Sequence, residues 1–453
     1  TRRGVMGYGS ATNGTGGGGS WSTAYTNIQT ALNIATDGDA IYMAGHTFSL
    51  TNQLIWAAKT NVAIRGGYAA TNDADTPGTP DSRRWPTVLT RNAAYSNRIM
   101  IVTNVIGGIL ERITFTGGYR VQDGLGGGIH VVGSTGLVMS ACVISNNAVV
   151  GNNIYVYGGG VYATGSVIIV SNCLVRANTI STSINFPSAW GGGIYFAGGV
   201  VTLVDSIIAN NSAYGSDTTG AGRNGGGICN DGAICRIRNC LVVGNSTASY
   251  LNSPSCGDGF YATGVSTSIL ENCTVAYNTR QGIYRAAGSV VVTNSIVWGN
   301  GDDITGAVIL AFSDIEDGDS NGVNGCISAD PLFERGFYLA TNSLCVDAGT
   351  NTADALGLTN ATTRADGTVD GGTVDLGYHY PAGLDMTYAD IYVAPDGKDD
   401  GSYSGTNALE PFRTLTNALA KARDGSRVHV ASGNYTNGSE RFPLSVSCLT
   451  GLQ

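Results

Sequence analysis

GGGIH at Gly126–His130, GGGVY at Gly158–Tyr162, GGGIY at Gly191–Tyr195 and GGGIC at Gly225–Cys229 are copies of one phrase, which weakens to GDGFY at Gly257–Tyr261 and QGIY at Gln281–Tyr284. A second phrase follows each copy: ACVISNN (Ala141–Asn147), NCLVRAN (Asn172–Asn178), DSIIANN (Asp205–Asn211), NCLVVGN (Asn239–Asn245), NCTVAYN (Asn272–Asn278) and NSIVWGN (Asn294–Asn300). The closing Asn recurs at steps of 31, 33, 34, 33 and 22 residues. Steps of this size filled with short β-rich runs mark a solenoid, whose units bury their apolar face only by stacking.

The shortest step, Asn278 to Asn300, shows the bare coil of 22 residues: GIYRA, SVVVTN and SIVWG read as three strands separated by turns. Longer copies add residues in one place, between the closing Asn and the next glycine run, as in Thr179–Trp190 and Ser212–Asn224. These insertions are rich in Ser, Thr, Gly and Asn, which predicts loops leaving one corner of the cylinder. The composition agrees with a β-dominated chain: 67 Gly in 453 residues, only three Lys (Lys59, Lys398, Lys421) and six Glu. A formal charge of −9 argues against nucleic acid as a partner. No apolar run approaches the ~18 residues of a transmembrane segment. The opening TRRGVMGYGS has no apolar signal core, which reads as a processed or internal start.

Cys142, Cys173, Cys240 and Cys273 share one repeat position, filled by Ser206 and Ser295 in other copies. Their parallel stacking predicts buried, reduced thiols, since the geometry suits a disulfide poorly. Cys229, Cys235, Cys256, Cys326 and Cys345 lie off that ladder and are the better disulfide candidates. The repeated Asn predicts an amide ladder from coil to coil. Tyr162, Tyr195, Phe260/Tyr261 and Tyr284 predict an aromatic ladder, which cross-coil stacking explains and a sugar-binding stripe would match.

Tyr25–Phe48 and Phe412–Tyr435 align without gaps. Ile28, Ala31, Leu32 and Ala35 match Leu415, Ala418, Leu419 and Ala422 at helical spacing. Asp37-Gly38 and Asp424-Gly425 are expected to end the two helices. A short amphipathic helix before the first coil is a cap on an open sheet end. The chain thus divides into an entry segment with capping helix (1–50), coils (51–312), terminal coils with a C-terminal cap (313–381), and a linker with the start of a second β-helix (382–453). The second unit reaches Gln453 within about one coil, as in a tandem array or a subunit completed by a neighbour.

YVAPDG (392–397) with PFRTLTNALAKARDG (411–425), and the exit phrases ADPLF, SLCVDAG and VDLGYHY, resemble bacterial right-handed parallel β-helix repeat surface proteins of the pectate-lyase-like superfamily. The glycine and VxxN rhythm is similar to the repeats of chlamydial polymorphic outer membrane proteins. The resemblance implies an all-β, right-handed parallel β-helix in an extracellular or cell-surface setting. It leaves function open, because such folds carry lyases, hydrolases, adhesins and spacers.

Polysaccharide hydrolysis needs two carboxylates ~5–9.5 Å apart, and no such pair recurs in the coils. Asp205 and Glu271 read as sharing the position Asn holds elsewhere, with two coils between their levels. Lys is absent from the regular coils, and Arg176, Arg236, Arg238, Arg280 and Arg285 are scattered. His46, His130, His379 and His429 form no triad. Asp317, Asp319 and Asn321 have the oxygen spacing of a calcium loop, without its flanking helices or later bidentate Glu. A structural calcium is one reading of them and a solvated turn the other; no further cofactor or catalytic residue is indicated. The pattern favours a non-enzymatic architectural or adhesive element, partnered by neighbouring copies or a surface polysaccharide. A polysaccharide lyase or glycoside hydrolase, and a glycan-binding module with an outward Tyr ladder, are the alternatives.

Overall fold

The computed structural model describes residues 4–7, 17–71, 77–121, 123–151, 154–182, 188–215, 222–249, 255–382, 390–422 and 426–435. One coil shows how the sequence makes the fold. Val161–Thr164, Val167–Ser171 and Leu174–Arg176 are its three strands. Each pairs in parallel with the equivalent strand one coil on: Ile194–Ala197, Val200–Val204 and Ile207–Ala209. Alternate residues of a strand point to opposite faces, so Ile168 and Val170 are buried while Val167 and Ile169 face outward.

Repetition builds three long sheets. Sheet 1 has eleven strands, from Gly4–Gly7 to Ile309–Ala311; sheet 2 has ten, from Thr47–Leu50 to Asp314–Ile315; sheet 3 has nine, from Leu54–Ala57 to Asp302–Thr305. Their inner faces enclose one apolar core that runs from Ile28 to Cys326. This is the right-handed parallel β-helix expected from the sequence.

The recurring Asn-Cys pair sets the corner between sheets 1 and 2. Asn172, Asn239, Asn272 and Asn294 have φ between 48° and 51°, a left-handed conformation that Asn adopts more readily than most residues. The next residue turns inward. Cys142, Cys173, Cys240 and Cys273 are buried free thiols, as expected. Ser206 Oγ accepts the Cys173 amide at 3.1 Å and Ser295 Oγ accepts the Cys273 amide at 3.0 Å, so serine continues the ladder. The five off-ladder cysteines are free as well, which corrects the disulfide expectation. Cys235 points into the core, Cys229 lies among tyrosines, and Cys345 donates to Asp314 at 3.1 Å.

The closing Asn residues form the expected amide ladder. Asn147, Asn178, Asn211, Asn245 and Asn278 each donate Nδ2 to the Oδ1 of the next, at 2.9–3.0 Å, ending on Asn300. Each also reaches back to a main-chain carbonyl of the preceding coil, as Asn211 does to Val175 at 3.0 Å. Buried amides left without such partners would each cost about 1–3 kcal/mol. The adjoining glycine run is needed for close approach: a Cβ on Gly159 would lie 2.3 Å from the Gly192 carbonyl oxygen.

The corner insertions are not simple loops. Their described parts are strands that stack into sheet 4, five strands including Thr179–Thr182 and Ser212–Gly215, and sheet 5, four strands including Ala189–Trp190 and Arg223–Asn224. Val149, Val156, Ile180, Ala189 and Ala213 give this fin its own small core. Parallel pairing with the neighbouring coil orders segments whose composition favours turns.

Helix α1 (Ile28–Ile34) buries Ile28, Ala31 and Leu32 and closes at Ala35, two residues before Asp37. Gln29 completes the cap. Its side chain accepts the Ile55 amide at 2.8 Å and donates to the Ile55 carbonyl at 2.9 Å, so it satisfies the open edge of sheet 3. Lys59 Nζ donates to the Asn33 and Ala35 carbonyls at the helix C-terminus. The second cap repeats this plan. Strand Asp390–Val393, helix α2 (Leu415–Lys421) and strand Arg427–Val430 match Gly4–Gly7, α1 and Ala40–Ala44. Asp424-Gly425, most of the linker and the tail beyond Tyr435 lie outside the described residues.

The segment expected to be terminal coils folds differently. Asp314–Ile315 is the last strand of sheet 2, and Ile327 closes it by a single bridge to Asp314. Residues 328–382 then turn back as a strap over the outer face of sheet 2. The corner Asn side chains receive it: Asn239 donates to the His379 carbonyl at 3.0 Å and accepts its amide at 2.7 Å. Asn294 accepts the Thr350 amide at 2.8 Å, and Asn272 donates to the Asp375 carbonyl at 3.2 Å. Under the strap, Tyr338, Tyr378 and Tyr380 bury Ala209, Leu241, Val243 and Ala276.

Candidate functional site

The outer face of sheet 3 carries the aromatic ladder. His130, Tyr162, Tyr195, Cys229, Tyr261 and Tyr284 stand in register. Phe260 points into the core, so Tyr261 is the ladder residue. Tyr162 and Tyr195 stack at 5.6 Å with planes 4° apart, and Tyr261 and Tyr284 at 5.5 Å with planes 18° apart. Cys229 interrupts the stack, and Trp190 of the fin lies 6.2 Å from Tyr195 and 6.3 Å from Tyr261. The ladder therefore faces away from the main core yet is largely covered: Tyr195 is 4% and Tyr261 8% exposed. Tyr195 donates to Asp231 at 2.7 Å. Burial pushes the Tyr157 and Tyr261 hydroxyls up to about 12.

A charged group heads the ladder. Buried Arg98 bonds His130 Nδ1 and Asp123, and Arg120 Nε meets Asp123 at 2.8 Å. Burial, then the Arg98 charge, pushes His130 down to about 4. Burial opposes ionisation of Asp123, but its bond from Arg120 and the Arg98 charge hold it at about 2. The ring of His130 is thus neutral at pH 7 and accepts from Arg98 through Nδ1, an anchoring role. GGGIH places His130 where four of the other five copies have Tyr; Arg98 and Asp123 lie outside the repeated phrases and carry no such signal.

Carboxylates in and beside the coils are engaged internally. Asp205 accepts from Asn239 at 2.8 Å; Asp258 accepts from Thr247 at 2.5 Å and the Arg280 amide at 3.0 Å. Asp303 accepts from Asn300 at 2.9 Å and the Glu316 amide at 2.8 Å. Asp205 and Glu271 do not share a repeat position. Glu271 aligns with Arg238 on the outer face of sheet 1, whereas Asp205 holds the left-handed corner beside Asn239.

Asp317, Asp319 and Asn321 lie in an exposed turn at the C-terminal end of the coils. Asp317 accepts the Asp303 amide at 3.1 Å and the Asp319 amide at 3.3 Å. A second acidic group sits in the strap. Asp347, Asp370 and Asp375 offer oxygens within 4.8 Å of one another, a set of hard ligands of the kind calcium takes. These groups already have partners: Asp370 binds His379 Nε2 at 2.7 Å, and Asp375 accepts the Asp347 amide at 2.8 Å and the Thr363 hydroxyl. Nothing in the phrase VDLGYHY signals this cluster, because its segments meet only after the strap folds.

Residues 128–326 match the family described as right handed beta helix region, and residues 396–452 match one described as a protein of unknown function, DUF1565. Among solved structures, the chain is similar to pectate lyase Pel9A at 13% identity, covering 83% of this chain and 96% of that one with a TM-score of 0.44. It is also similar to the pectin methylesterase of Aspergillus niger at 16% identity, covering 68% and 87% with a TM-score of 0.35. No curated protein matches the sequence. No helix among the described residues is long and apolar enough to cross a membrane.

Proposed function

We propose that this protein is a non-enzymatic, secreted or cell-surface β-solenoid, an architectural or adhesive element that associates with copies of itself. The observation that carries this reading is the internal engagement of the polar side chains. The coil carboxylates noted above bond to neighbouring coils or turns, and His130 is anchored by Arg98. A hydrolase or lyase needs such groups free to meet a substrate. The repeated cap supports a tandem or serial arrangement, because it begins a second unit of the same plan. Incubation with a panel of uronate and neutral polysaccharides tests the reading. No unsaturated product, reducing end or methanol is expected; turnover that scales with protein concentration would overturn it.

A second reading is a non-catalytic glycan-binding module, favoured by the outward direction of the Tyr ladder. Half-buried Tyr162, Tyr284 and Tyr157 are the rings a sugar would meet. Glycan-array binding that is lost in Tyr284→Ala would establish it. A calcium at Asp317, Asp319 and Asn321 would be structural, and heat of uptake at millimolar calcium tests it.

A further inference from the structure

The strap covers the outer face of sheet 2, and the fin covers much of that of sheet 3. Among the described residues sheet 1 is covered only at its first strands, where Trp21 and Tyr68 pack on Tyr42 and Ala44. Val167, Ile169, Val200, Ile234, Ile269 and Ile309 lie on its outer face at 38–59% exposure. Val167, Val200 and Ile234 run side by side on three neighbouring strands, and Ile169, Ile269 and Ile309 lie in the adjacent row, where Thr202 and Arg236 separate Ile169 from Ile269. β-branched aliphatics gathered on one long sheet face mark an interaction surface.

The charges indicate what covers it. Along the outer row nearest sheet 2, the register runs Arg65, Glu111, Ser140, Ser171, Val204, Arg238, Glu271. Its signs are plus, minus, three neutral residues, plus, minus. Laid against its own reverse, this row sets every plus against a minus: Arg65 faces Glu271, and Glu111 faces Arg238. In the middle row Arg236 falls opposite Ile109, two residues along the same strand from Glu111. The centre of that pattern is Ser171, and its strand, Val167–Ser171, is also the sixth of the eleven strands of sheet 1. The charge pattern and the sheet therefore share one midpoint.

We infer that the outer face of sheet 1 binds the same face of a second copy, with the two-fold axis along Val167–Ser171 and the rods antiparallel. This deepens the self-association named above and rests on it. Face-to-face sheets lie ~10 Å apart, so side chains from both copies meet. Strands ~4.8 Å apart, with two or three outward residues each over the seven strands that carry the charge pattern, give a patch of about 29 by 15 Å. That is roughly 430 Å² per copy, the size of a weak, concentration-dependent interface. Arg65 already bonds Glu111 within the copy. The dimer sets that pair head to tail against Arg238 and Glu271.

Sedimentation velocity of the full chain should show a concentration-dependent dimer of two 46.5 kDa chains. Ile169→Lys puts two ammonium groups across the axis and should raise the dimer dissociation constant about 100-fold, as expected at an interface centre. Arg238→Glu with Glu271→Arg should raise it about 10-fold; adding Arg65→Glu and Glu111→Arg restores the alternation and should bring it back to within about 3-fold. Ser171→Cys, on the axis, should cross-link to itself with a short bis-maleimide, whereas Ser289→Cys, four strands away, should not. The cross-linking is done in a Cys256→Ser, Cys448→Ser background, because Cys256 is not fully buried and Cys448 lies outside the described residues. All sheet 1 substitutions are on the outer face, and unchanged thermal unfolding confirms the fold. A monomer at every concentration, a dimer indifferent to Ile169→Lys, or a dimer that does not link through position 171 would overturn the pairing. End-to-end rods in electron micrographs without that link would overturn it too, while leaving the architectural reading standing.

Discussion

Leu241 and Ile234 belong to the same coil, on neighbouring strands of sheets 2 and 1, and both look outward. Leu241 is fully buried beneath the strap, whereas Ile234 is 47% exposed. The two strands obey the same inward pattern, with Cys235, Ile237 and Val242 filling the core. Stacking alone thus decides the inner face of a solenoid, but the outer face takes its character from whatever is brought to it from elsewhere. Sheet 2 receives a segment of its own chain; among the described residues, the part of sheet 1 around Ile234 does not.

The strongest way to break this contrast is to remove the aromatic centre of the strap. Tyr338 and Tyr380 stack at 3.8 Å with planes 14° apart. Tyr380→Ala should cost about 3–5 kcal/mol of strap stability. Hydrogen exchange should show amides of 338–381 losing protection while Val167–Ser171 stays protected. Loss of protection throughout would mean that the strap and rod unfold as one unit.

A direct comparison comes next. Leu241→Ala should cost about 2–4 kcal/mol by chemical denaturation, through the cavity it leaves. Ile234→Ala should cost under about 1 kcal/mol when measured on the monomer. Equal losses would refute the difference between the two faces. The polar counterpart is smaller: Asn239→Ala removes two bonds to His379 and should cost about 1–3 kcal/mol. Asn172→Ala, at the same left-handed corner in a coil the strap does not reach, should cost about 1 kcal/mol for the backbone strain alone.

The smallest effect is a pH dependence where strap meets coil. Burial pushes Asp314 up to about 6, and its Oδ2 accepts from Cys345 of the strap. Burial likewise raises Asp303 to about 6. The folded protein therefore holds protons that the unfolded chain has released between about pH 4 and 6. The contribution of these two groups to stability is greatest below that window and falls as pH rises through it. Asp314→Asn keeps an oxygen for the Ala329 amide and should add about 1 kcal/mol at pH 7. Thermal unfolding at pH 4.5 and 7 should show a shallower slope for this variant.

The coil, both ladders and the two caps were legible because a repeat displays each position several times. Asn172, Asn239, Asn272 and Asn294 show the left-handed corner, and Ser206 among cysteines shows a small buried site. The fin was not legible, since strands as short as Ala189–Trp190 have no periodicity to read and are ordered by their neighbours. The strap was not legible either: Asn239 and His379 are 140 residues apart, and neither phrase announces the other. Glu271 differs from expectation by one residue of register, which is enough to exchange the left-handed corner, held by Asn272, for the outward end of a strand.

The asparagine ladder has a direction. Every amide donates toward the C-terminal coil and accepts from the N-terminal one, so each coil offers the next the same half-finished bond. Nothing in such a series counts its own members. The count ends where the side chain changes kind: Asn300 donates to Asp303, a carboxylate with no hydrogen to pass on while ionised. Rod length is therefore a matter of punctuation, and a lineage could lengthen or shorten this molecule by whole coils while keeping the same full stop.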